Sequence, residues 1–147
     1  MNKNKTLTVV RSIVFREDLI FEQVKKHSQD LAKLFEKIIK ADINVTFITS
    51  DIHKLLVALS NVKVNEFKKL VLLSDFDDAR HSKKKNLKKI LREVLDSSGI
   101  EASETMVISN SKDDIPYASV LDMQFVLVSH KKVDNYKNVI NVSNISL

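Results

Sequence analysis

The stretch TMVISNSKDDIPYASVLDMQFVLV, residues 105–128, decides the predicted fold. It has an apolar strand, a polar and acidic loop, a helix that opens near residue 114, and a second strand. A loop at the carboxyl end of a buried strand is where open α/β sheets bind ligands. The side chains available in this loop are those of Asn110, Ser111, Asp113 and Asp114. The loop is therefore the chain's best candidate for a site.

The same alternation of strand and helix spacing continues along the chain. Predicted strands cover residues 6–15, 43–48, 70–73, 105–108, 124–128 and 139–142, and predicted helices cover residues 28–40, 51–60, 84–98 and 114–121. Gly99 is the natural C′ residue of the third helix. Strands that alternate with helices predict an α/β fold, a three-layer α/β/α sandwich around a mainly parallel, Rossmann-like sheet. We expect one domain over residues 1–147.

A small β-hairpin is predicted near the start of the chain. Residues 13–15 form its first arm, Arg16-Glu17-Asp18 its polar turn, and residues 20–24 its second arm. Ile13, Phe15 and Phe21 would then be exposed, which favours self-association through the hairpin.

Composition excludes several classes of protein. A chain of 147 residues with 44% hydrophobic and 29% charged residues is ordinary for a globular domain, and its start is too short and too broken by Arg11 for a signal peptide or a membrane span. A cytoplasmic location is the default expectation. Cysteine is absent, and the four histidines show no paired metal spacing. With one glycine, the chain cannot build a P-loop, a dinucleotide fingerprint or a G-x-S-x-G elbow.

A net charge of +5 raises the question of nucleic acid. The dense basic run is Lys83-Lys84-Lys85 with Lys88 and Lys89, and it lacks interleaved aromatic residues. A solvated helix face is the favoured interpretation, a lysine facing phosphate is the second, and nucleic-acid binding is the least supported.

The order of these parts resembles the haloacid dehalogenase (HAD) superfamily, whose Rossmann-like sheet carries four short motifs at successive strand ends. Residues 44–50, NVTFITS, resemble the second motif, in which a Thr or Ser hydrogen-bonds phosphoryl oxygens. The lysine run resembles the third, where a Lys neutralises phosphate, and the loop at residues 109–115 resembles the fourth, where an acidic pair holds Mg²⁺. The resemblance implies phosphate binding by Thr49, Ser50 and Lys85, and metal binding by Asp114 and Asn110.

Within the superfamily, the chain is most similar to the capless phosphatases that act on deoxy-octulosonate phosphate. The predicted hairpin and the closing strand near residues 139–143 carry this likeness. It implies a phosphorylated sugar as the ligand, Mg²⁺ as the cofactor, and a homotetramer in which a neighbour's hairpin covers the site.

The catalytic motifs of that family are degenerate in this sequence. The family's nucleophile is the first Asp of a D-x-D at the end of the first strand. If residues 6–10 are that strand, the pair falls near residues 10–13; if the hairpin is matched, it falls on residues 2–4. Neither register has the two carboxylates. Asn110 also replaces the first acidic residue of the fourth motif, which removes one negative charge from the Mg²⁺ site.

A second D-x-D follows the strand at residues 70–73. Asp75 and Asp77 would be the catalytic residues of an active phosphotransferase, but a solvated acidic loop is the favoured interpretation. The remaining motifs would then have to recur after residue 128, and they do not.

The leading hypothesis is therefore a degenerate, noncatalytic HAD-like domain, a pseudophosphatase with a role in assembly, binding or regulation. The alternative is a Mg²⁺-dependent sugar-phosphate phosphatase. For the fourth motif, the simpler interpretation is that Asp113 and Asp114 cap the following helix.

Overall fold

Strands and helices alternate through most of the protein. The computed structural model describes residues 9–62, 70–74, 76–78, 83–84, 86–130 and 138–143. The strands are β1 (Ser12–Arg16), β2 (Asn44–Thr49), β3 (Leu70–Ser74), β4 (Phe76–Asp78), β5 (Lys83–Lys84), β6 (Thr105–Ser109), β7 (Gln124–Val128) and β8 (Val139–Val142). The α-helices are α1 (Glu17–Lys26), α2 (Ser28–Lys40), α3 (Ile52–Ser60), α4 (Leu87–Ser98) and α5 (Ile115–Val120).

Six of these strands form one parallel sheet in the order β3-β2-β1-β6-β7-β8. β1 lies between β2 and β6, and its first four residues are buried. A strand in this position is covered by helices on both faces, which explains its unbroken apolar run of Ile13, Val14 and Phe15. The predicted α/β sandwich with a mainly parallel sheet is confirmed.

Each face of the sheet packs against its own set of helices, because successive side chains of a strand point to opposite faces. On one face, Ile13 and Phe15 belong to a cluster with α1, α2 and α3. Phe15 stacks on Phe47 at 5.3 Å between ring centroids, and Phe35 of α2 meets both rings edge-on. On the other face, Val14 packs with residues of α4 and α5. Burial of each of these aromatic side chains contributes about 2–3 kcal/mol.

The prediction of a hairpin at residues 13–24 is wrong. Glu17–Lys26 is helix α1, and it buries Leu19, Ile20 and Gln23 at helical spacing. Acidic residues in its first turn and lysines in its last turn suit the helix dipole. The only antiparallel pair among the described residues joins β4 to β5.

The surface predicted for self-association is therefore not exposed. Ile13 and Phe15 are 5% and 0% exposed, because they belong to the central strand. Phe21 packs partly buried against the first cluster, and the ammonium of Lys54 lies 4.6 Å from its ring centroid. Among the described residues, no helix has the length and apolar character needed to cross a membrane.

Helix α4 begins later than predicted and ends where predicted. Its N-cap is Asn86, whose side chain accepts from the N–H of Lys88, while Lys83 and Lys84 lie in β5. Gly99 ends the helix with φ 68° and ψ 13°, and its N–H donates to the carbonyl of Leu95. Glycine reaches this left-handed conformation without a Cβ penalty.

Gly99→Ala should lower the free energy of unfolding by about 1 kcal/mol. A Cβ at this position would meet no atom within 4 Å, so the loss comes from the backbone conformation alone. Gly99→Asn should lose less, because Asn tolerates the left-handed region. Urea denaturation of the three proteins measures both effects, and equal stability of Gly99→Ala and the parent would contradict this account.

Candidate functional site

The candidate site lies at the carboxyl edge of the sheet, where β1, β2 and β6 end side by side. From β1 the chain adds β2 and β3 on one side and β6, β7 and β8 on the other. Such a reversal of strand order leaves a crevice outside the strand ends, which is the usual ligand position in open α/β sheets. Polar side chains collect at this edge, as predicted for Thr49, Ser50 and the loop after β6.

The two residues at the end of β1 point to opposite sides of this edge. Arg16 is the last residue of the strand, and Glu17 is the first residue of α1. Alternation along the strand directs Arg16 toward the face covered by α4 and α5, whereas the side chain of Glu17, in the first turn of α1, contacts the end of β2. A positively charged and a negatively charged side chain thus lie on opposite sides of this edge, at the position where the strand order reverses.

The Glu17 carboxylate binds the end of β2 through three hydrogen bonds. Its Oε1 accepts from Thr49 Oγ1 at 2.6 Å and from the backbone N–H of Ser50 at 3.0 Å. Its Oε2 accepts from Ser50 Oγ at 2.7 Å. These short, charge-assisted contacts occupy both carboxylate oxygens. Thr49 and Ser50, two of the three residues predicted to bind phosphate, thus hold a carboxylate of the same chain.

The start of α3 is organised around the same residues. Asp51 is the N-cap, and its side chain accepts from the N–H of Lys54 at 3.0 Å. Thr49 Oγ1 accepts from the N–H of Asp51 while it donates to Glu17. Thr49 and Ser50 therefore do not cap the helix; they link its first turn to α1.

On the other side of the edge, Arg16 pairs with Asp114. Arg16 Nε donates to Asp114 Oδ2 at 3.2 Å, and Ser109 Oγ donates to the same oxygen at 2.6 Å. The side chains of Arg16 and Asp114 are 21% and 12% exposed, so water screens this ion pair only partly. The pair joins the ends of β1 and β6 to the loop that precedes α5.

The carboxylate of Asp114 does not cap α5. Asp114 stands at the N-cap position with helical φ and ψ, and its side chain makes no capping hydrogen bond. Ser111 Oγ accepts from the N–H of Asp113, which is itself exposed. The prediction that Asp113 and Asp114 cap the helix is wrong, because the carboxylate of Asp114 turns inward to Arg16 and Ser109.

The donor set at this edge does not suit Mg²⁺. Asp114 Oδ2 already accepts from a guanidinium and a hydroxyl, and a metal ion would have to displace or repel the guanidinium. Asn110 is partly buried in the loop beside Ser109 and adds no charge. Within the described part of the chain, no three His, Asp, Glu or Cys side chains cluster as a metal site would require.

The carboxyl end of the central strand carries three charged residues. The central strand is Ser12–Arg16, so the three positions at its end hold Arg16, Glu17 and Asp18. The predicted register near residues 10–13 is wrong, because these residues precede or begin this strand, and residues 2–4 of the other register lie outside the described residues. Arg16 and Glu17 are partly buried, and Asp18 is exposed.

Three of the predicted residues have no described side chain. Asp75 and Lys85 lie outside the described residues, and Asp77 lies in β4, where only the backbone is described. The preceding strand, β3, is an outer strand of the sheet, two positions from β1 and three from β6.

The sequence did not identify Arg16 and Glu17 as site residues. The signal for them is an apolar strand that runs directly into charged residues, as also happens at Asp75 and Asp77. It is ambiguous because residues 19–24 have apolar and β-branched side chains that suit the second arm of a hairpin as well as a helix.

Comparison with known proteins gives structural matches only, since no protein-family model and no curated protein matches the chain. A dehalogenase crystallised as an intermediate complex superposes with a TM-score of 0.67 at 13% identity, covering 96% of both chains. A haloacid dehalogenase-like family hydrolase from Xanthomonas campestris gives 0.57 at 11%, covering 95% of this chain and 92% of the other. An L-2-haloacid dehalogenase gives 0.54 at 9%, covering 92% and 96%. The protein therefore has the haloacid dehalogenase-like fold.

Proposed function

We propose that this protein is a noncatalytic HAD-like domain whose catalytic edge is occupied by its own side chains. The observation that carries the proposal is the ion pair between Arg16 and Asp114 at the end of the central strand. In an active member, that strand end would carry the nucleophilic carboxylate, and the loop after β6 would help to hold Mg²⁺. Here a guanidinium stands between the two positions.

Arginine cannot replace the missing nucleophile. Its guanidinium stays protonated at any physiological pH and has no lone pair to attack phosphorus. It does supply the positive charge that a buried carboxylate requires, which is the electrostatic part of what Mg²⁺ would provide. Arg16 therefore stabilises Asp114 without any metal, and it removes the group that would start the reaction.

Glu17 likewise occupies the residues that were predicted to bind phosphate, Thr49 and Ser50. Thr49 Oγ1, Ser50 Oγ and the Ser50 N–H are the kinds of donor that bind phosphoryl oxygens, and all three are directed at the Glu17 carboxylate. A phosphate would have to displace this carboxylate and would also meet its negative charge. Together, Arg16 and Glu17 act as internal substitutes for the cation and the anion.

A fold does not by itself fix a function, so a domain without catalytic activity can still serve another purpose. We therefore infer a role in binding, assembly or regulation. Of the residues that would have formed the predicted hairpin interface, Ile13 and Phe15 are buried and Phe21 is partly buried, so a homo-oligomer would have to use another surface. Binding of a phosphorylated sugar at Thr49 and Ser50 would require Glu17 to move away.

The rival proposal, a phosphotransferase that uses Asp75 or Asp77, has a geometric difficulty. Neighbouring strands lie about 4.8 Å apart, so β3 is roughly 14 Å from β6 across three strand spacings. A nucleophile that follows β3 would be far from Asp114, the buried carboxylate at this edge. The rival would therefore lack the acidic residue that the fourth motif supplies.

We expect no phosphatase turnover by the purified protein with Mg²⁺ and either p-nitrophenyl phosphate or a panel of sugar phosphates. Because a trace contaminant can produce activity, Asp114→Ala and the double variant Asp75→Asn with Asp77→Asn serve as controls. Turnover that survives purification and disappears in Asp114→Ala would overturn the proposal. Turnover that disappears only in the double variant would support the rival.

The Arg16–Asp114 pair should stabilise the fold measurably. Arg16→Met keeps the aliphatic part of the side chain but leaves Asp114 with Ser109 alone, so we expect a loss of about 2 kcal/mol in unfolding free energy. Arg11 offers a matched control, because its ion pair with Glu104 at 3.4 Å is largely exposed, with side chains 57% and 27% accessible.

Arg11→Met should cost less than about 1 kcal/mol, since exposed ion pairs contribute little. Urea denaturation at low and high salt measures both variants. Equal losses of unfolding free energy for Arg16→Met and Arg11→Met would show that the Arg16–Asp114 pair contributes no more than an exposed ion pair.

Replacing the guanidinium by a carboxylate should create a metal site. Arg16→Asp places two carboxylates at the edge, and Mg²⁺ at about ten times its dissociation constant should then raise stability by about 1.4 kcal/mol. The parent protein and Arg16→Asn should show no such increase in a thermal melt. Stabilisation of the parent by Mg²⁺, abolished in Asp114→Asn, would contradict the self-occupied site.

A further inference from the structure

Helix α3 exposes much of its apolar surface to solvent. Six of its nine residues are apolar, yet Leu55 is the one that is buried. Ile52, Leu56 and Val57 are 42%, 47% and 53% exposed. A helix that is apolar around most of its circumference is normally buried on more than one side. The packing of α3 within this chain therefore covers only part of its apolar surface.

The three exposed side chains lie away from the core. Leu55 belongs to the cluster that α3 shares with α1 and α2. Since each helical residue turns by about 100°, Val57 lies nearly opposite Leu55. Ile52 and Leu56 are one turn apart and form a ridge along one flank of the helix. We call Ile52, Leu56 and Val57 together the α3 face.

The α3 face carries no formal charge of its own. Lys54 is the only Lys, Arg, Asp or Glu of the helix, and it lies on the flank opposite Leu56. Its ammonium is drawn toward α1, 4.6 Å from the ring centroid of Phe21. Two copies of a chain with a net charge of +5 repel each other. Contact through the α3 face brings no lysine or arginine of this face against another.

Both ends of α3 are held in place before any partner binds. Asp51 caps the first turn, and its N–H donates to Thr49 Oγ1. At the other end, the N–H groups of Asn61 and Val62 donate back to carbonyls of the last turn. A face on a helix that is already ordered loses little conformational freedom on association. The α3 face is therefore prepared for a rigid contact.

We propose that the α3 face is the contact surface of a weak homodimer, in which a second copy lays its own α3 across it about a twofold axis. Such an axis brings the same patch of both copies together, so an uncharged apolar face is complementary to itself. When the two helices run antiparallel, their dipoles also oppose each other favourably. The proposal holds whether or not the carboxyl edge is catalytic, because no residue of the α3 face belongs to that edge.

The size of the face determines how strong the dimer can be. Three half-exposed aliphatic side chains offer roughly 150 Å² of apolar surface in each copy. A stable interface of standard size buries about 800 Å² per partner, so neighbouring surface must contribute the remainder. We therefore expect a transient dimer with a dissociation constant on the order of 100 µM.

Sedimentation velocity of the full chain, from about 10 to about 1000 µM, tests the proposal. The measurement is made near pH 8, where an ordinary imidazole such as that of His53 is uncharged. We expect the dimer fraction to rise with protein concentration. Added salt should leave the dissociation constant unchanged or lower it, because it screens the repulsion between two positive chains. A chain that stays monomeric over this range would overturn the proposal and leave the face to a different partner.

Val57→Glu and Val120→Glu form a matched pair of variants. Val120 is 59% exposed on α5, which packs on the other face of the sheet. Both variants change the net charge equally, but about a twofold axis only Val57→Glu brings two carboxylates into the apolar contact. We expect it to raise the dissociation constant at least tenfold and Val120→Glu to leave it within twofold. A dimer that both variants weaken equally would place the contact elsewhere and overturn the proposal.

A second variant keeps the proposal falsifiable if Val57→Glu fails to fold, which a far-ultraviolet circular dichroism spectrum would show. Leu56→Lys should also raise the dissociation constant at least tenfold, because it sets two ammonium groups in the same contact. Leu56→Met keeps the apolar character and should preserve the dimer. Unchanged dimerisation of Leu56→Lys would contradict a contact through α3.

Discussion

The arrangement of the site depends on two consecutive charged residues at the end of the central strand. Arg16 is the last residue of β1 and Glu17 is the first residue of α1, and each charge meets a different neighbouring strand. Arg16 pairs with Asp114 after β6, and Glu17 accepts three hydrogen bonds from the end of β2. The strand ends are thereby joined by the protein's own side chains, at the position where this fold usually holds ligands.

The pairing of charged side chains at this edge has little effect on the fold, because separate residues form the core and the edge. The core clusters use the apolar residues within the strands, and the site uses the polar residues that follow them. A carboxylate such as Asp114, which is 8% exposed, still needs a positive partner. Arg16 provides one permanently, whereas a metal ion would have to be bound from solution.

Local patterns predicted many elements correctly. Helix α2, strand β7 and the αL conformation of Gly99 follow from periodicity and from the special freedom of glycine, both of which act over a few residues. Residues 17–26 were predicted wrongly because their apolar side chains suit a strand as well as a helix. Packing of Leu19, Ile20 and Gln23 beneath α1 resolves that ambiguity, and such packing involves residues far away in the sequence.

By itself, the sequence determined the α/β alternation, excluded glycine-dependent phosphate loops, and supplied polar residues after several strands. Only the tertiary structure decided which strand is central, and therefore that Arg16 and Glu17 lie where the strand order of the sheet reverses. It also decided that Asp114 pairs with Arg16 instead of capping α5. The physical reason is that strand order and ion pairing join residues almost a hundred positions apart, whereas sequence patterns report mainly on neighbours along the chain.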